Sequence, residues 1–147
     1  MYVLDQFGRY IITYTATDSA GKTATYRRNI TVYDIVPPEL TINGSLASIY
    51  GLNAPITIPT YTVSDNLGKY TVDVFLIMPN NEQRLLLEDN NGLVTSYLEK
   101  DNMYYNASFK VDSRTFRAEQ FGRYTLRFVA YDSDFNKTVK ELHFEVK

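Results

Sequence analysis

Few side chains in this sequence have the chemistry that catalysis requires. The chain has no cysteine and one histidine, His143, which the pattern places at an exposed strand position. A serine or cysteine nucleophile needs an adjacent base, usually histidine, so nucleophilic catalysis is disfavoured. Carboxylates are plentiful, but no spacing singles out a pair for glycoside hydrolysis, and the glycines form no phosphate-binding loop. We therefore predict that the protein is not an enzyme and uses no cofactor.

One segment has side-chain oxygens at alternate positions, as a calcium-binding loop does. Residues 132–136 read Asp-Ser-Asp-Phe-Asn. Continuing the EF-hand pattern places Lys137 where glycine is required, so an EF-hand is excluded. A looser calcium site between repeats could use Asp132, Asp134 or Asp34. The alternative is that these residues are ordinary turn formers, and we prefer that interpretation, which leaves no predicted metal site.

Charge and hydropathy exclude two classes of partner. The net charge is −2 and the pI is near 5.4, whereas a nucleic-acid-binding domain carries a basic patch. The longest apolar runs, such as Val74-Phe75-Leu76-Ile77-Met78, are too short to span a bilayer. We therefore predict binding to no nucleic acid and no insertion into a membrane.

The aromatic composition is unusual, with 13 tyrosines and no tryptophan. Tyrosine suits a pleated, half-buried surface, so this composition favours β structure. It also leaves open a carbohydrate-binding alternative, in which exposed aromatic rings stack on sugars. The tyrosines that could serve in this way are Tyr26, Tyr33, Tyr97, Tyr104, Tyr105 and Tyr131.

An internal repeat organises these residues. Gln6-Phe7-Gly8-Arg9-Tyr10 recurs as Gln120-Phe121-Gly122-Arg123-Tyr124, at an offset of 114 residues. In both copies apolar and polar residues then alternate, a turn follows, and a second alternating segment ends the copy. Each copy is therefore predicted to be a long β-hairpin that closes a structural repeat.

A short proline-containing linker separates the two copies. Pro37 and Pro38 lack a backbone N–H and favour an extended path, so we place a domain boundary beside them. Residues 1–35 are predicted to be the C-terminal strands of a preceding repeat. Residues 36–147 are predicted to be one complete repeat.

The interior of the second repeat is predicted to be all β. Residues 56–63 form one predicted strand, in which Pro59 suggests an edge or a bulge. Further strands are predicted over 70–78 and 104–111. Residues 83–88 could form a helical turn, but the flanking turn signals favour a strand. About seven strands in about 110 residues predict an antiparallel β-sandwich of the immunoglobulin type.

The sequence resembles the bacterial immunoglobulin-like repeats that occur in tandem in exported cell-surface proteins and in some phage structural proteins. The resemblance rests on Phe7-Gly8-Arg9-Tyr10, residues 18–22, Val32-Tyr33-Asp34, Pro37-Pro38 and Val63-Ser64-Asp65-Asn66. It implies a β-sandwich at a cell or virion surface that acts as a stalk, a spacer or an adhesive domain.

Two tyrosines and two glycines are the predicted structural residues of this motif. Gly-Arg-Tyr at the start of the penultimate strand resembles a tyrosine corner, in which the hydroxyl bonds the backbone a few residues upstream. Tyr10 and Tyr124, with Gly8 and Gly122, are the candidates. The alternative is that the tyrosines are plain core aromatics.

Residues 1–35 are expected to need a partner, because a lone hairpin is only marginally stable in water. We expect neighbouring repeats of the same chain to supply the missing strands, or a second copy to do so by strand exchange. The leading prediction is a non-catalytic spacer, stalk or adhesion module in an extracellular tandem array. The alternatives are a module that binds a glycan or a host protein through its loops and a virion structural or decoration domain.

Overall fold

The structure is a computed structural model that describes residues 3–4, 6–97, 99–100, 103–104, 107–108 and 114–147. All regular secondary structure in the described residues is β-strand. The chain divides into two compact units, Met1–Ile35 and Val36–Lys147, called here the N-terminal and C-terminal units.

The N-terminal unit is one antiparallel hairpin. Strand β1 (Gly8–Thr17) pairs with β2 (Thr23–Val32) without a bulge, from Gly8 opposite Val32 to Thr17 opposite Thr23. The alternation of β-prone residues with polar ones explains why both segments extend to ten residues. Most of their side chains are exposed; Tyr14, for example, is 52% exposed.

The C-terminal unit contains the remaining strands. They are β3 (Glu39–Asn43), β4 (Ile49–Tyr50), β5 (Pro55–Thr57), β6 (Thr60–Ser64), β7 (Thr71–Ile77), β8 (Gln83–Asn90), β9 (Leu93–Ser96), β10 (Glu99–Lys100), β11 (Met103–Tyr104), β12 (Ala107–Ser108), β13 (Thr115–Arg117), β14 (Gly122–Tyr131) and β15 (Lys137–Val146).

These strands form one large sheet and several two-stranded ones. The large sheet has the order β12-β9-β8-β7-β14-β15-β4, and the small sheets pair β3 with β6, β5 with β13 and β10 with β11. The predicted all-β, sandwich-like fold is confirmed. One pair departs from the antiparallel pattern, because β4 runs parallel to β15.

Alternating side chains of the large sheet make the core of the C-terminal unit. Along β14, Tyr124, Leu126, Phe128 and Ala130 are buried in turn, and every second residue of β7 is buried as well. The small strands contribute the remaining buried side chains, among them Leu40, Ile56, Ile58 and Phe116. Each large side chain buried in this way contributes about 1.5–3 kcal/mol to folding.

One predicted strand is divided in two. Residues 56–63 were expected to be continuous, but β5 ends at Thr57 and β6 begins at Thr60, and the two belong to different sheets. Pro59 has no N–H to donate to a ladder, which explains the interruption. Residues 83–88 lie in strand β8, so the helical alternative is wrong. The predicted strand 104–111 falls largely outside the described residues.

Candidate functional site

The two repeat copies fold into the same local structure. Strands β1 and β14, like β2 and β15, have bounds that differ by 114 residues at both ends. The register is equivalent too, since Gly8 faces Val32 as Gly122 faces Val146. The internal repeat is therefore a repeat of structure as well as of sequence.

Each copy has a tyrosine whose hydroxyl bonds the backbone four residues upstream. Tyr10 donates to the carbonyl of Gln6 at 2.8 Å, and Tyr124 donates to the carbonyl of Gln120 at 3.0 Å. Tyr124 is 1% exposed, and its ring stacks on Phe144 with 5.1 Å between centroids. Burial raises the pKa of Tyr124 above its ordinary value, which keeps the hydroxyl a donor. These contacts stabilise the strand start.

The proline pair lies at the entry to the C-terminal unit. Pro37 is exposed, whereas Pro38 is buried. The Thr138 hydroxyl donates to the carbonyl of Pro38 at 2.6 Å. This bond fastens the first residues of the unit to β15.

An aspartate organises the hairpin turn in each copy by the same hydrogen bonds. The Asp18 Oδ1 atom accepts from the amides of Ala20 and Lys22, both at 2.9 Å. The Asp132 Oδ1 atom accepts from the amides of Asp134 at 2.8 Å and Asn136 at 3.0 Å. The same hydrogen-bonding geometry in the two copies accounts for the aspartate in both turns.

The three calcium candidates lie in different settings. Asp132 is buried, Asp134 is exposed at the turn, and Asp34 is a buried residue of the N-terminal unit. Within the C-terminal unit, one carboxylate oxygen of Asp65 lies within 4.8 Å of one of Asp132. Asp65 accepts from the Leu67 amide at 2.8 Å, so both carboxylates serve their own turns.

A cleft opens at one end of the C-terminal unit, where three connections meet. It encloses about 440 Å³, a size suited to a small ligand. Its walls come from the start of β7, the end of β8 and the β14–β15 turn. The lining residues are Lys69, Tyr70, Thr71, Asn90, Asn91, Tyr131, Asp132, Ser133 and Phe135.

Hydrogen bonds hold the β8–β9 wall of this cleft in place. The Asn91 amide donates to the Tyr70 carbonyl at 2.9 Å. Buried Asp89 accepts from the Gly92 amide at 2.7 Å and from the Tyr61 hydroxyl at 2.8 Å. Burial, with Asp89 as a second cause, raises the pKa of Tyr61, so this hydroxyl stays protonated. These bonds hold the backbone of this wall in place.

Tyr131 lines another wall of the cleft, and its side chain bonds residues on the outer face of the sheet. Tyr131 hydrogen-bonds with Thr71 and Asp73, and burial raises its pKa. Burial and then the charge of Glu88 raise the pKa of Asp73 above its ordinary value of 3.8. The Asp73 Oδ1 atom is buried and has no hydrogen-bond partner among the described residues. Asp73 and Glu88 are cross-strand partners, so their like charges oppose each other's ionisation.

Among the proposed sugar-platform tyrosines whose side chains the structure describes, only Tyr131 lines this cleft. Tyr26 and Tyr33 belong to the N-terminal unit, and Tyr97 is half-buried elsewhere in the C-terminal unit. The side chains of Tyr104 and Tyr105 lie outside the described residues. Two further aromatic lining residues, Tyr70 and Phe135, are not among the residues that the sequence singles out. A signal for Phe135 was present, because the first copy has Gly21 at the equivalent position.

No protein-family model matches the chain, and no curated protein matches it either. None of the described residues form a helix of the length and hydrophobicity needed to cross a membrane.

Proposed function

We propose that this protein is a non-catalytic spacer or stalk module of a tandem array of immunoglobulin-like repeats at a cell or virion surface. The observation that carries the proposal is the pair of equivalent hairpins. Their strands have the same lengths and register, each has a tyrosine hydroxyl that bonds the backbone four residues upstream, and each turn is bonded by an aspartate. Recurrence of one structural unit in a single chain is typical of arrays that extend along one dimension.

The edge of β1 supports a neighbouring repeat as partner. In the C-terminal unit β14 pairs with β15 on one side and with β7 on the other. The equivalent strand β1 pairs with β2 alone among the described residues. A strand equivalent to β7 would complete it, supplied by a preceding repeat or by a second copy through strand exchange.

The parallel pair of strands suits a module that transmits tension. When the two ends of the C-terminal unit are pulled apart, β3 is loaded first, and once it leaves β6, β4 is drawn towards its N-terminal end and β15 towards its C-terminal end. Because the strands are parallel, the bonds between them are loaded together in shear. Those bonds join the Glu145 amide to the Ser48 carbonyl at 2.9 Å and the Lys147 amide to the Tyr50 carbonyl at 3.1 Å.

Single-molecule stretching of the full chain between its termini tests this function. We expect the C-terminal unit to unfold with one main high-force event and to gain somewhat less than about 400 Å of extension in all, which is its contour length at about 3.6 Å per residue before its folded length is subtracted. Glu145→Pro removes the amide that bonds Ser48 and should lower the rupture force. Glu145→Ala keeps that amide and serves as the matched control. Unfolding at low force in the unaltered chain, or equal forces for the two variants, would contradict the proposal.

A second candidate function, ligand binding, is favoured by one specific feature. The cleft is built from connections at one end of the C-terminal unit, where backbone hydrogen bonds hold the loops and aromatic and amide side chains line the walls. Binding sites commonly lie on loops that a rigid scaffold positions. A spacer that also carries such a site would act in adhesion.

A further inference from the structure

We propose that the cleft of the C-terminal unit binds a neutral carbohydrate, with Phe135 as the aromatic platform on which a sugar ring stacks. This inference goes beyond the spacer function, because it assigns a ligand class and a contact residue to one end of the module. It rests on the backbone of Phe135, the chemistry of the cleft walls and the charge of the site.

Phe135 occupies a backbone conformation that a phenylalanine rarely adopts. Its φ is 65°, in the left-handed region, where a β-carbon crowds the backbone. Among the described residues, the other non-glycine residues with positive φ are all asparagines: Asn53, Asn81 and Asn91. Phe135 is therefore an exception even within this chain.

The equivalent turn in the N-terminal unit shows what the fold itself prefers. Gly21 holds the position of Phe135, with a φ of 80° and the same backbone bonding: its amide donates to the Asp18 carbonyl as that of Phe135 donates to Asp132. The turn therefore forms with glycine and needs no aromatic ring. Phenylalanine adds strain at this position.

The ring of Phe135 does not repay this strain by packing. It is 82% exposed, so it buries little apolar surface within the described part of the chain. A strained residue that contributes little to the core points to a role in contact with another molecule. Since Phe135 lines the cleft, that molecule would lie in the cleft.

The walls around Phe135 offer the two kinds of contact that a sugar uses. The face of an aromatic ring is electron-rich and attracts the C–H groups of an apolar ring face. The amides of Asn90 and Asn91 and the hydroxyl of Ser133 can donate to, and accept from, sugar hydroxyls. Aromatic surface beside a few convergent polar groups is the usual composition of a small-ligand site.

The charge of the cleft disfavours the other ligand classes. Lys69 is the one basic lining residue in the described part of the chain, whereas a polyanion needs several cations to neutralise its phosphates. A cationic ligand is disfavoured because the Asp132 carboxylate is already used within its turn. It accepts three hydrogen bonds there, from two backbone amides and from the Asn136 side chain at 2.8 Å. A peptide that adds to a sheet needs an open strand edge, whereas this cleft is built where connections meet. A neutral, hydroxyl-rich ligand fits best.

Hydrogen bonds hold the backbone of the cleft walls. The bonds from Asn91 to Tyr70 and from Gly92 to Asp89 fix the β8–β9 wall, and the bonds of Tyr131 fix the opposite wall. The backbone of these walls therefore needs little ordering when a ligand binds.

The test applies the full-length chain to an array of immobilised neutral oligosaccharides built from glucose, galactose, mannose and N-acetylhexosamines. We expect retention on at least one of these sugars. Phe135→Gly installs the residue of the equivalent turn, so it should fold at least as well as the unaltered chain and weaken retention about tenfold. Phe121→Ala is the matched control, because Phe121 is also exposed, at 64%, but lies beside the far end of β14.

Three outcomes would overturn the proposal. The first is that the unaltered chain is retained by none of these sugars. The second is that Phe135→Gly binds as well as the unaltered chain, or that Phe121→Ala loses as much affinity. The third is that acidic oligosaccharides added to the same array are retained more strongly than the neutral ones and that Lys69→Gln abolishes this preference, which would mean that the ligand is anionic. None of these outcomes bears on the rupture force, so the spacer function is tested separately.

Discussion

Gly8 and Gly122 hold equivalent positions at the starts of β1 and β14, with φ of 131° and 129°. A β-carbon on Gly122 would lie 2.9 Å from two side-chain carbons of Pro79, whereas nothing lies within 4 Å of one on Gly8. We expect Gly122→Ala to destabilise the C-terminal unit by about 2–4 kcal/mol, from strain and overpacking together. Urea denaturation measures this, with Gly8→Ala as the control that leaves the main transition unchanged. Equal effects would contradict the contact with Pro79.

The Asp73 carboxyl provides a prediction about pH. Burial first, and then the charge of Glu88, raise its pKa in the folded state above the ordinary value of 3.8. The folded state therefore holds this proton more tightly than the unfolded state, and ionisation of Asp73 lowers stability as pH rises from 3.8 through the folded-state pKa. We expect Asp73→Asn to stabilise the protein at neutral pH and to have no such advantage below pH 3.8. Urea midpoints measured across this range test the prediction, and a stabilisation that is independent of pH would contradict it.

At the scale of elements, the sequence predicts long strands well and short ones poorly. The ten-residue strands β1, β2, β14 and β15 show enough alternation to reveal their period. Strands β4 and β13 span two and three residues, too few to show a period, and they form only because longer strands offer them an edge. Pro59 was recognised as a disturbance, but a missing N–H does not tell whether the result is a bulge or a change of sheet.

The candidate site was less predictable than the strands, for a physical reason. Its walls come from segments around residues 70, 90 and 133, which only the sheet order brings together. No local spacing encodes such a site. The one local signal was the comparison of the two hairpin turns, where Phe135 replaces Gly21. That signal becomes meaningful only when the left-handed backbone of both residues is known.

For the whole molecule, the two hairpins provide an internal comparison of stability. Among the described residues, β14 is paired on both sides and its alternate side chains are buried, whereas β1 is paired on one side and is mostly exposed. A lone hairpin is marginally stable in water. We therefore expect hydrogen exchange of the full chain to show slow amides in β14 and fast ones at equivalent positions of β1.

The difference in exchange rate should be large. The free energy of opening a lone hairpin is close to zero, whereas amides in the core strands of a small domain exchange only by global unfolding, which costs about 5–15 kcal/mol. Exchange measured over a range of protein concentrations then distinguishes the two partners of β1. Protection of β1 that rises with concentration would mean that a second copy completes its open edge. Fast exchange at every concentration would mean that a second copy does not complete this edge. Protection of β1 equal to that of β14 and independent of concentration would contradict the view that the hairpin alone lacks a partner.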